Sequence, residues 1–436
     1  MSYLIEHVRA LEILDSRGRP TLQVTVRLSG GVEAVAGVPS GASTGTREAV
    51  ELRDGDPDRY DGAGVLRAVA SVSGQIADLL TGRRWGTLAA VDQAMIELDG
   101  TNTKSQLGAN SIVGVSMATA RAMAAADGVP LYKWLHPDDR QLRLPVPHFN
   151  VVNGGLHAEN PLQFQEFMLA PLGAPGLPEA VRAGAEVYQT LKRVLRDEGH
   201  STGLGDEGGF APRLSTPEEV LDLLVGAISA AGYPVGVEGV AIALDPAASE
   251  FRQDDGRYLY APGVTLSSDE MIDRYVSLVD RYPIWSIEDG LAEDDWDGWE
   301  RLSARLADKV QLVGDDIFVT NPRIIGEAIA RKVANAALIK VNQIGTVTET
   351  LEAVDTALRG GYAQMVSHRS GETTDGFIAD LSVAIGCGQI KSGAPARGER
   401  AAKYNRLLEI SAESASAPYG LPVAPPVSRS GPGQLI

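Results

Sequence analysis

Six short apolar runs in the second half of the chain each end on a side chain that can bind a metal ion or transfer a proton. Stretches with helical periodicity lie between most of these runs. A repeated strand, charged tip and helix is the pattern of a barrel of parallel strands that carries its chemistry at one end. The pattern therefore predicts an enzyme with three acidic and three basic groups at that end. The runs are 240–244 before Asp245, 284–287 before Glu288, 310–314 before Asp315, 336–339 before Lys340, 365–367 before His368, and 389–390 before Lys391.

Helix starts in this half of the chain are marked by capping signals. Residues 216–219 combine a capping threonine, a proline at the first helical position and a glutamate placed for a capping box, and residues 267–270 repeat the box. Asn321, followed by a proline, marks a third start. Apolar positions at helical spacing continue over 347–358, and Gly360 ends that run. These signals predict helices that alternate with the strands.

The first part of the chain has a different pattern. Residues 1–30 alternate apolar and polar positions, as in an antiparallel strand with one solvent-exposed face. A Ser- and Gly-rich loop follows at 39–45, and mostly helical patterns come after it. The composition changes near residue 138, so we expect one domain at 1–138 and a second at 139–436, which is long enough for a barrel of about 250 residues.

The composition restricts the possible partners. The chain has 39 Lys and Arg against 57 Asp and Glu, a formal net charge of −18, which disfavours nucleic acid or an anionic membrane as a main partner. We find neither a signal peptide nor an uncharged apolar run of the roughly 18 residues that a membrane helix needs. The single cysteine, Cys387, cannot form an internal disulfide. We therefore expect a cytoplasmic enzyme. The tail at 411–436, rich in Ser, Ala, Pro and Gly, is expected to pack loosely.

Asp245, Glu288 and Asp315 form the first candidate site. Three carboxylates brought together repel one another unless a cation lies between them, and oxygen-only ligands suit a hard ion such as Mg²⁺. Each residue taken alone is more often an unrelated acid at a strand end. Lys340 is the second candidate, either as a base whose pKa is lowered by burial and nearby cations or as an ammonium that only anchors an anion.

Other strings are consistent with an anion site. Residues 368–371 and 391–393 combine Arg, Lys, Ser and Gly, although a basic surface loop explains either string alone. Glu207 lies in a glycine-rich acidic turn, and His157 with Gln165 and Glu166 flank a loop that can close over a substrate. The loop at 39–45 lacks the spacing and the lysine of a Walker phosphate loop.

Together these strings resemble the enolase family over almost the whole chain. The resemblance implies an α/β fold in which an N-terminal α+β capping domain precedes a modified TIM-type (β/α)8 barrel. It also implies reversible dehydration of 2-phosphoglycerate to phosphoenolpyruvate. The matching strings are 13–18, 40–45, 107–110, 165–167, 205–209, 243–245, 286–289, 314–316, 340–345, 367–372 and 393–397.

The resemblance also implies roles for individual residues. The proton-transfer groups would be Lys340 as the base for the C2 proton and Glu207 as the acid for the C3 hydroxyl, supported by Glu166 and His368. The small phosphorylated carboxylate substrate would be bound by His157, Gln165, Arg369, Ser370 and Lys391. The first Mg²⁺ would be held by Asp245, Glu288 and Asp315, and a second, arriving with substrate, by Ser40. A homodimer or a ring of dimers is implied as well.

Two alternatives remain open at this point. One is a paralogue of a secondary pathway that acts on a related phosphorylated or phosphonate acid. Departures from the family pattern at Glu159 and Gly290 favour it, as does Leu156 beside the loop that can close over a substrate. A paralogue that binds without catalysis is disfavoured because Lys340, Glu207 and the three carboxylates are all present.

Overall fold

The computed structural model describes residues 2–42, 45–137 and 139–423. Two residues of the predicted loop at 39–45, the predicted boundary residue Asp138, and the tail from residue 424 onward lie outside these ranges. The strands are β1 (Tyr3–Leu14), β2 (Pro20–Leu28), β3 (Glu33–Gly37), β4 (Arg84–Trp85), β5 (Val146–Asn153), β6 (Glu166–Ala170), β7 (Ala241–Asp245), β8 (Tyr258–Ala261), β9 (Val264–Leu266), β10 (Ile284–Glu288), β11 (Gln311–Gly314), β12 (Ala336–Ile339), β13 (Ala363–Ser367) and β14 (Gln389–Lys391).

The helices alternate with most of the later strands. They are α1 (Leu66–Ser71), α2 (Ala77–Leu80), α3 (Leu88–Asp99), α4 (Ala109–Ala126), α5 (Leu131–Trp134), α6 (Leu177–Asp197), α7 (Pro217–Ala230), α8 (Ser268–Arg281), α9 (Trp296–Leu306), α10 (Pro322–Arg331), α11 (Val341–Ile344), α12 (Val347–Arg359), α13 (Phe377–Ala384) and α14 (Gly398–Glu413).

The N-terminal part is an antiparallel sheet in the order β3-β2-β1-β4, with α4 packed against β2 and β3. The single strand predicted for residues 1–30 is in fact a hairpin of β1 and β2. The expectation of one solvent-exposed face is wrong for β2, since its alternate positions Thr21 and Thr25 are also buried. Gly114 of α4 permits the close approach, because a Cβ there would lie 2.5 Å from the side chain of Val24.

The C-terminal part closes into an eight-stranded barrel in the order β5-β6-β7-β10-β11-β12-β13-β14. Most neighbouring strands are parallel, but β6 is antiparallel to both β5 and β7. The prediction of a barrel of parallel strands is thus wrong for one strand. The loop at 154–165 joins β5 to β6 without an α-helix, as a connection between antiparallel strands can. The modified barrel implied by the resemblance is confirmed.

The six predicted strands are confirmed, and each reaches or stops just before its expected polar tip. The register places Ser286 to Glu288 beside residues 311–313, and Ser367 beside Lys391. Parallel strands in register bring their carboxyl ends to the same rim of a barrel. The tips therefore meet at one end, as the spacing predicted.

The predicted helix starts are confirmed as well. Thr216 and Ser267 each form a complete capping box at the start of α7 and α8, and Asn321 caps α10. α12 covers the predicted run and ends before Gly360, although Leu358 is exposed. These local signals determine where the helices begin, and the helices then pack against the barrel.

The tail packs more closely than the composition suggested, as far as it is described. α14 continues to Glu413, and Leu144 exchanges backbone hydrogen bonds of 2.8 and 3.0 Å with Pro418 and Gly420. The hydroxyl of Tyr419 donates to the carbonyl oxygen of Pro171 at 2.8 Å. Within the described ranges, no helix has both the length and the apolar character needed to cross a bilayer.

Candidate active site

A small cavity of about 20 Å³ lies at the rim where the strand tips meet. It is almost filled by its own charged side chains, which pair with one another. The structure brings eleven of the thirteen predicted site residues into its wall. These are His157, Gln165, Glu166, Glu207, Asp245, Asp315, Lys340, His368, Arg369, Ser370 and Lys391.

The reversed strand β6 explains how Glu166 reaches this rim. Glu166 is the first residue of β6 and pairs in register with Asn153 and Asp245, the last residues of β5 and β7. The amide of Gln165 donates to the carbonyl oxygen of Asp245 at 3.1 Å. An antiparallel strand therefore places its first residue where the parallel strands place their last.

Lys391 is the centre of the acidic side of the site. Its Nζ donates to Asp245 Oδ2 at 3.0 Å, to Glu288 Oε1 at 2.7 Å and to Glu166 Oε1 at 3.3 Å. Burial alone would lower the pKa of Lys391, but the charges of Asp245, Glu166 and Glu288 raise it well above its usual value. Lys391 is thus a permanent ammonium among carboxylates. Glu288 lies behind it, outside the cavity wall.

The predicted carboxylate trio is not arranged as one compact group. Among the described residues, acidic groups within 4.8 Å of one another are Asp289 with Asp315 and Asp316, and Glu166 and Glu207 with His157. Asp245 and Glu288 are joined instead through Lys391.

The donor set nevertheless fits a hard cation. It consists of carboxylate oxygens, and Glu288 Oε2 is buried without a hydrogen-bond partner in the described structure. Burial, followed by the charge of Asp245, raises the pKa of Glu288 well above its usual value. A divalent ion would relieve the same repulsion.

Lys340 lies at the end of β12, and its Nζ forms an ion pair with Asp315 Oδ2. The expected lowering of the Lys340 pKa by burial and nearby cations is opposed by the carboxylate of Asp315. Burial lowers the pKa, but the carboxylate of Asp315 raises it above its usual value despite the opposing charges of Arg369 and Lys391. Lys340 is therefore an ammonium while Asp315 holds it.

Glu207 and Glu166 form a pair of carboxyl groups, and the imidazole of His157 lies between them. The imidazole nitrogens of His157 lie 4.0 Å from Glu166 Oε1 and 3.8 Å from Glu207 Oε1. Burial, followed by the charge of Glu207, raises the pKa of Glu166 well above its usual value. Glu166 is thus the member that carries the proton in this pair. Asn150 Nδ2 donates to Glu207 Oε2 at 3.0 Å.

His368 faces Glu207, with its Nε2 3.1 Å from Glu207 Oε2. Its other nitrogen, Nδ1, contacts a guanidinium nitrogen of the fully buried Arg400. An arginine can only donate, so Nδ1 accepts and the proton of the neutral ring lies on Nε2. Burial lowers the pKa of His368 to about 3, which keeps the ring neutral.

Arg400 was missed by sequence reasoning, although it fixes the loop after β13. It also donates to the carbonyl oxygens of Arg369 and Ser370, both at 2.6 Å. Arg400 comes shortly after the matched string at 393–397 and lies in the first turn of α14. A buried arginine cannot be distinguished in sequence from a solvent-exposed one, and its partners lie some 30 residues earlier.

Ser40 does not line the cavity at the strand tips. Its backbone pairs with that of Gly371, and its hydroxyl accepts hydrogen bonds from Arg53 at 2.8 Å and Arg17 at 3.2 Å. None of its hydrogen bonds in the described structure reaches Asp245, Glu288 or Asp315. The predicted role of Ser40 with a second metal stays a prediction.

Arg369 is held by a residue that sequence reasoning did not single out. Glu48, from the N-terminal part, accepts two hydrogen bonds from its guanidinium, and Asn342 accepts another at 3.1 Å. Ser370 Oγ lies 3.0 Å from Nε2 of His157. The residues of the predicted anion cradle therefore lie together at the rim, with the carboxylate of Glu48 in contact with the arginine.

Leu156 and Glu159, which favoured the alternative of a secondary-pathway paralogue, are both exposed and absent from the cavity wall. Gly290 follows Asp289 and is packed against Leu302, Ile287 and Tyr275. None of these three residues contributes to the cavity wall.

A closed barrel with lysines, carboxylates and an arginine at the carboxyl rim defines a barrel enzyme that acts on an anionic substrate. The family model described as enolase, C-terminal TIM barrel domain, matches residues 141–420, and that of the enolase N-terminal domain matches residues 5–135. An enolase of Rubrobacter xylanophilus is 58% identical over 404 residues, which cover 92% of this chain and 93% of that relative. The chain belongs to the enolase family, the hydro-lyases also called phosphopyruvate hydratases.

Proposed function

We propose that the chain catalyses the reversible, Mg²⁺-dependent dehydration of 2-phosphoglycerate to phosphoenolpyruvate as a cytoplasmic enzyme of glycolysis and gluconeogenesis. The observation that carries this proposal is the position of Lys340. It lies in one cavity with the carboxylates of Asp245 and Asp315 and with the cations Arg369 and Lys391. This arrangement suits proton removal beside an existing negative charge.

The difficulty of the reaction lies in the charge that it creates. The C2 proton lies next to a carboxylate, so its removal places a second negative charge on the same group. Fixed positive charge that is already in place stabilises such a transition state without reorganisation. Lys391, whose pKa is raised as described above, provides part of that charge. Gln165, Arg369, Ser370 and His157 would hold the phosphate and the carboxylate of the substrate.

Lys340 would remove the C2 proton once its contact with Asp315 is broken. Asp245, Glu288 and Asp315 would hold Mg²⁺, which would supply positive charge next to the substrate carboxylate. Without the opposing charge of Asp315, burial and the charges of Arg369 and Lys391 all lower the pKa of Lys340.

The acid that assists loss of the C3 hydroxyl would come from the pair of Glu207 and Glu166. Glu166 holds a proton for the reason given above, and His157 lies between the two carboxylates. Neutral His368 lies against Glu207, with its Nε2 3.1 Å from Glu207 Oε2. Ser40 would join a second Mg²⁺ that arrives with substrate, which requires its hydroxyl to leave Arg53.

The test follows the ultraviolet absorbance of the conjugated enol phosphate formed from 2-phosphoglycerate, with and without Mg²⁺. Wild type is compared with Lys340→Ala and with Lys192→Ala, whose lysine is exposed on α6. Turnover that needs Mg²⁺ and disappears only in Lys340→Ala is expected.

Failure of this test separates the two alternatives. Folded wild type that binds Mg²⁺ without turnover would favour the paralogue acting on a related phosphorylated or phosphonate acid. Wild type that binds no Mg²⁺ either would favour a non-catalytic binding protein.

We also carry over from the family a homodimer or a ring of dimers, with no nucleic-acid or membrane partner. Sedimentation velocity at micromolar concentration is expected to give at least the mass of a dimer. A monomer of 46.1 kDa that remains active would refute this assembly.

A further inference from the structure

A second and larger cavity, of about 530 Å³, lies at the opposite end of the barrel from the acidic tips. Trp285, Gln311, Gln364 and Gln389 contribute to its wall, and each is the first or second residue of its strand. The start of a parallel strand lies at the rim opposite its polar tip. The cavity is thus separate from the candidate active site and shares none of its wall residues.

The charge of this cavity is opposite to that of the chain. Two arginines, Arg140 and Arg143, line it, and no Asp or Glu does so within the described ranges. Arg140 pairs with Asp355 and, through Nε at 4.0 Å, with Asp139, neither of which lines the cavity. Arg143 forms no ion pair in the described structure, and its Nη1 reaches only the carbonyl oxygens of Gly420 and Leu421, at 3.5 and 3.4 Å. In a chain of net charge −18, this is a local excess of positive charge.

Two buried atoms of the described wall residues lack a hydrogen-bond partner, and both are hydrogen-bond donors. Nε1 of Trp285, a side chain that is 4% exposed, and Nε of Arg140 are buried and lack hydrogen-bond partners in the described structure. Both atoms can only donate. The amides of Gln311 and Gln389, in contrast, satisfy each other at 2.9 and 2.8 Å. A ligand acceptor that reached either atom would satisfy a donor that the protein leaves unpaired.

We propose that this cavity binds an organic anion with an apolar body, a function distinct from the dehydration reaction. The carboxylate or a similar acceptor-rich group would bind to Arg143 and to the donors of Arg140 and Trp285. The apolar body would pack against Tyr362 and Ile385. The volume lies within the range of about 300–1,000 Å³ that small-molecule sites occupy.

The test uses octanoate and octanamide, which share a chain and differ in the charge of the head group. Calorimetric titration measures the binding of each to full-length wild type, Arg143→Gln, Trp285→Phe and the cavity-filling variant Ala363→Leu. Arg196→Gln, which changes an exposed arginine on α6, is the matched control. We expect octanoate to bind wild type and the control at least 10-fold more tightly than octanamide.

The variants then locate the ligand. Arg143→Gln should weaken octanoate at least 10-fold while leaving octanamide and the turnover of 2-phosphoglycerate unchanged. Trp285→Phe should weaken octanoate to a smaller extent, and Ala363→Leu should weaken both ligands. Equal affinity for octanoate and octanamide, or no saturable binding of octanoate, would overturn the proposal. Displacement of octanoate by 2-phosphoglycerate would also overturn it, because the ligand would then lie in the other cavity.

Discussion

The carboxylate of Glu48 accepts two hydrogen bonds from the guanidinium of Arg369, at 3.0 and 3.1 Å, across 321 residues of sequence. Both side chains are almost fully buried. Burial alone would lower the pKa of Arg369, but the charges of Glu48 and Asp315 raise it above its usual value. The pair connects the loop after β3 to the rim of the barrel and holds the arginine that the proposed substrate needs.

Glu48→Gln is expected to reduce the free energy of unfolding by about 3 kcal/mol, because it leaves a buried cation without its main charge partner. Urea-induced unfolding measures this loss. The control is Glu33→Gln, whose carboxylate lies 3.8 Å from Arg9 with both side chains well exposed. That surface pair should contribute no more than about 1 kcal/mol. Equal losses in the two variants would mean that other contacts hold Arg369 in place.

Arg400→Lys is expected to lower kcat/KM for 2-phosphoglycerate about 100-fold, because small displacements of catalytic groups have effects of this size. A lysine lacks the planar fork that reaches His368, Arg369 and Ser370 together. Arg406→Lys, on the same helix, is the control, since Arg406 pairs with Asp380 and Glu409 away from the site. Steady-state kinetics and the thermal unfolding midpoint are measured for both.

A fall in kcat with an unchanged unfolding midpoint would assign Arg400 a positioning role. Equal kinetics of the two variants would refute that role. A lower midpoint with full activity at low temperature would leave Arg400 with a structural role only.

The six strand tips could be predicted because an apolar run and the polar residue after it are neighbours in sequence. The reversal of β6 could not, since Glu166 precedes its apolar run and gives no such signal. Glu48 and Arg400 were missed because each acts on a partner far along the chain. The effect of Asp315 on the pKa of Lys340 was missed for a related reason. The pattern indicated that Lys340 is buried, but not that Asp315 lies against its ammonium.

Asp289 is the residue that joins the tips of β10 and β11. Its two carboxylate oxygens accept hydrogen bonds from the backbone amides of Asp315 and Asp316, both at 2.9 Å. Its φ of 39° lies in the left-handed region, which asparagine tolerates well. Asp289→Asn therefore keeps the backbone but turns one acceptor into a donor that faces an amide.

Asp289→Asn should weaken Mg²⁺ binding about 10- to 100-fold, the usual effect of removing a group that orients a metal ligand. Calorimetric titration with MgCl₂ measures it. Asp297→Asn, at an 85% exposed side chain, is the control. Unchanged affinity in Asp289→Asn would show that Asp315 does not need this support or does not bind the metal.

The buried imidazole of His148, on β5 beside Lys391, leads us to predict a pH dependence of stability. The side chain is fully buried, its Nδ1 lies 3.2 Å from the carbonyl oxygen of Val146, and its Nε2 has no partner in the described structure. Burial lowers the pKa of His148 from 6.5 to about 4. Between these values the unfolded chain binds a proton that the folded protein does not.

Stability should therefore fall as the pH decreases from 6.5 toward 4, by about 3 kcal/mol from this group alone. His148→Gln removes the titrating group, so its unfolding free energy should change less with pH than that of wild type. His7→Gln, at an exposed position on β1, is the control. The comparison is made by urea unfolding at pH 4.5 and 7, with the wild-type difference as reference. If wild type and His148→Gln lose the same stability over this range, the imidazole is already protonated in the folded protein, and the proposed neutral state is wrong.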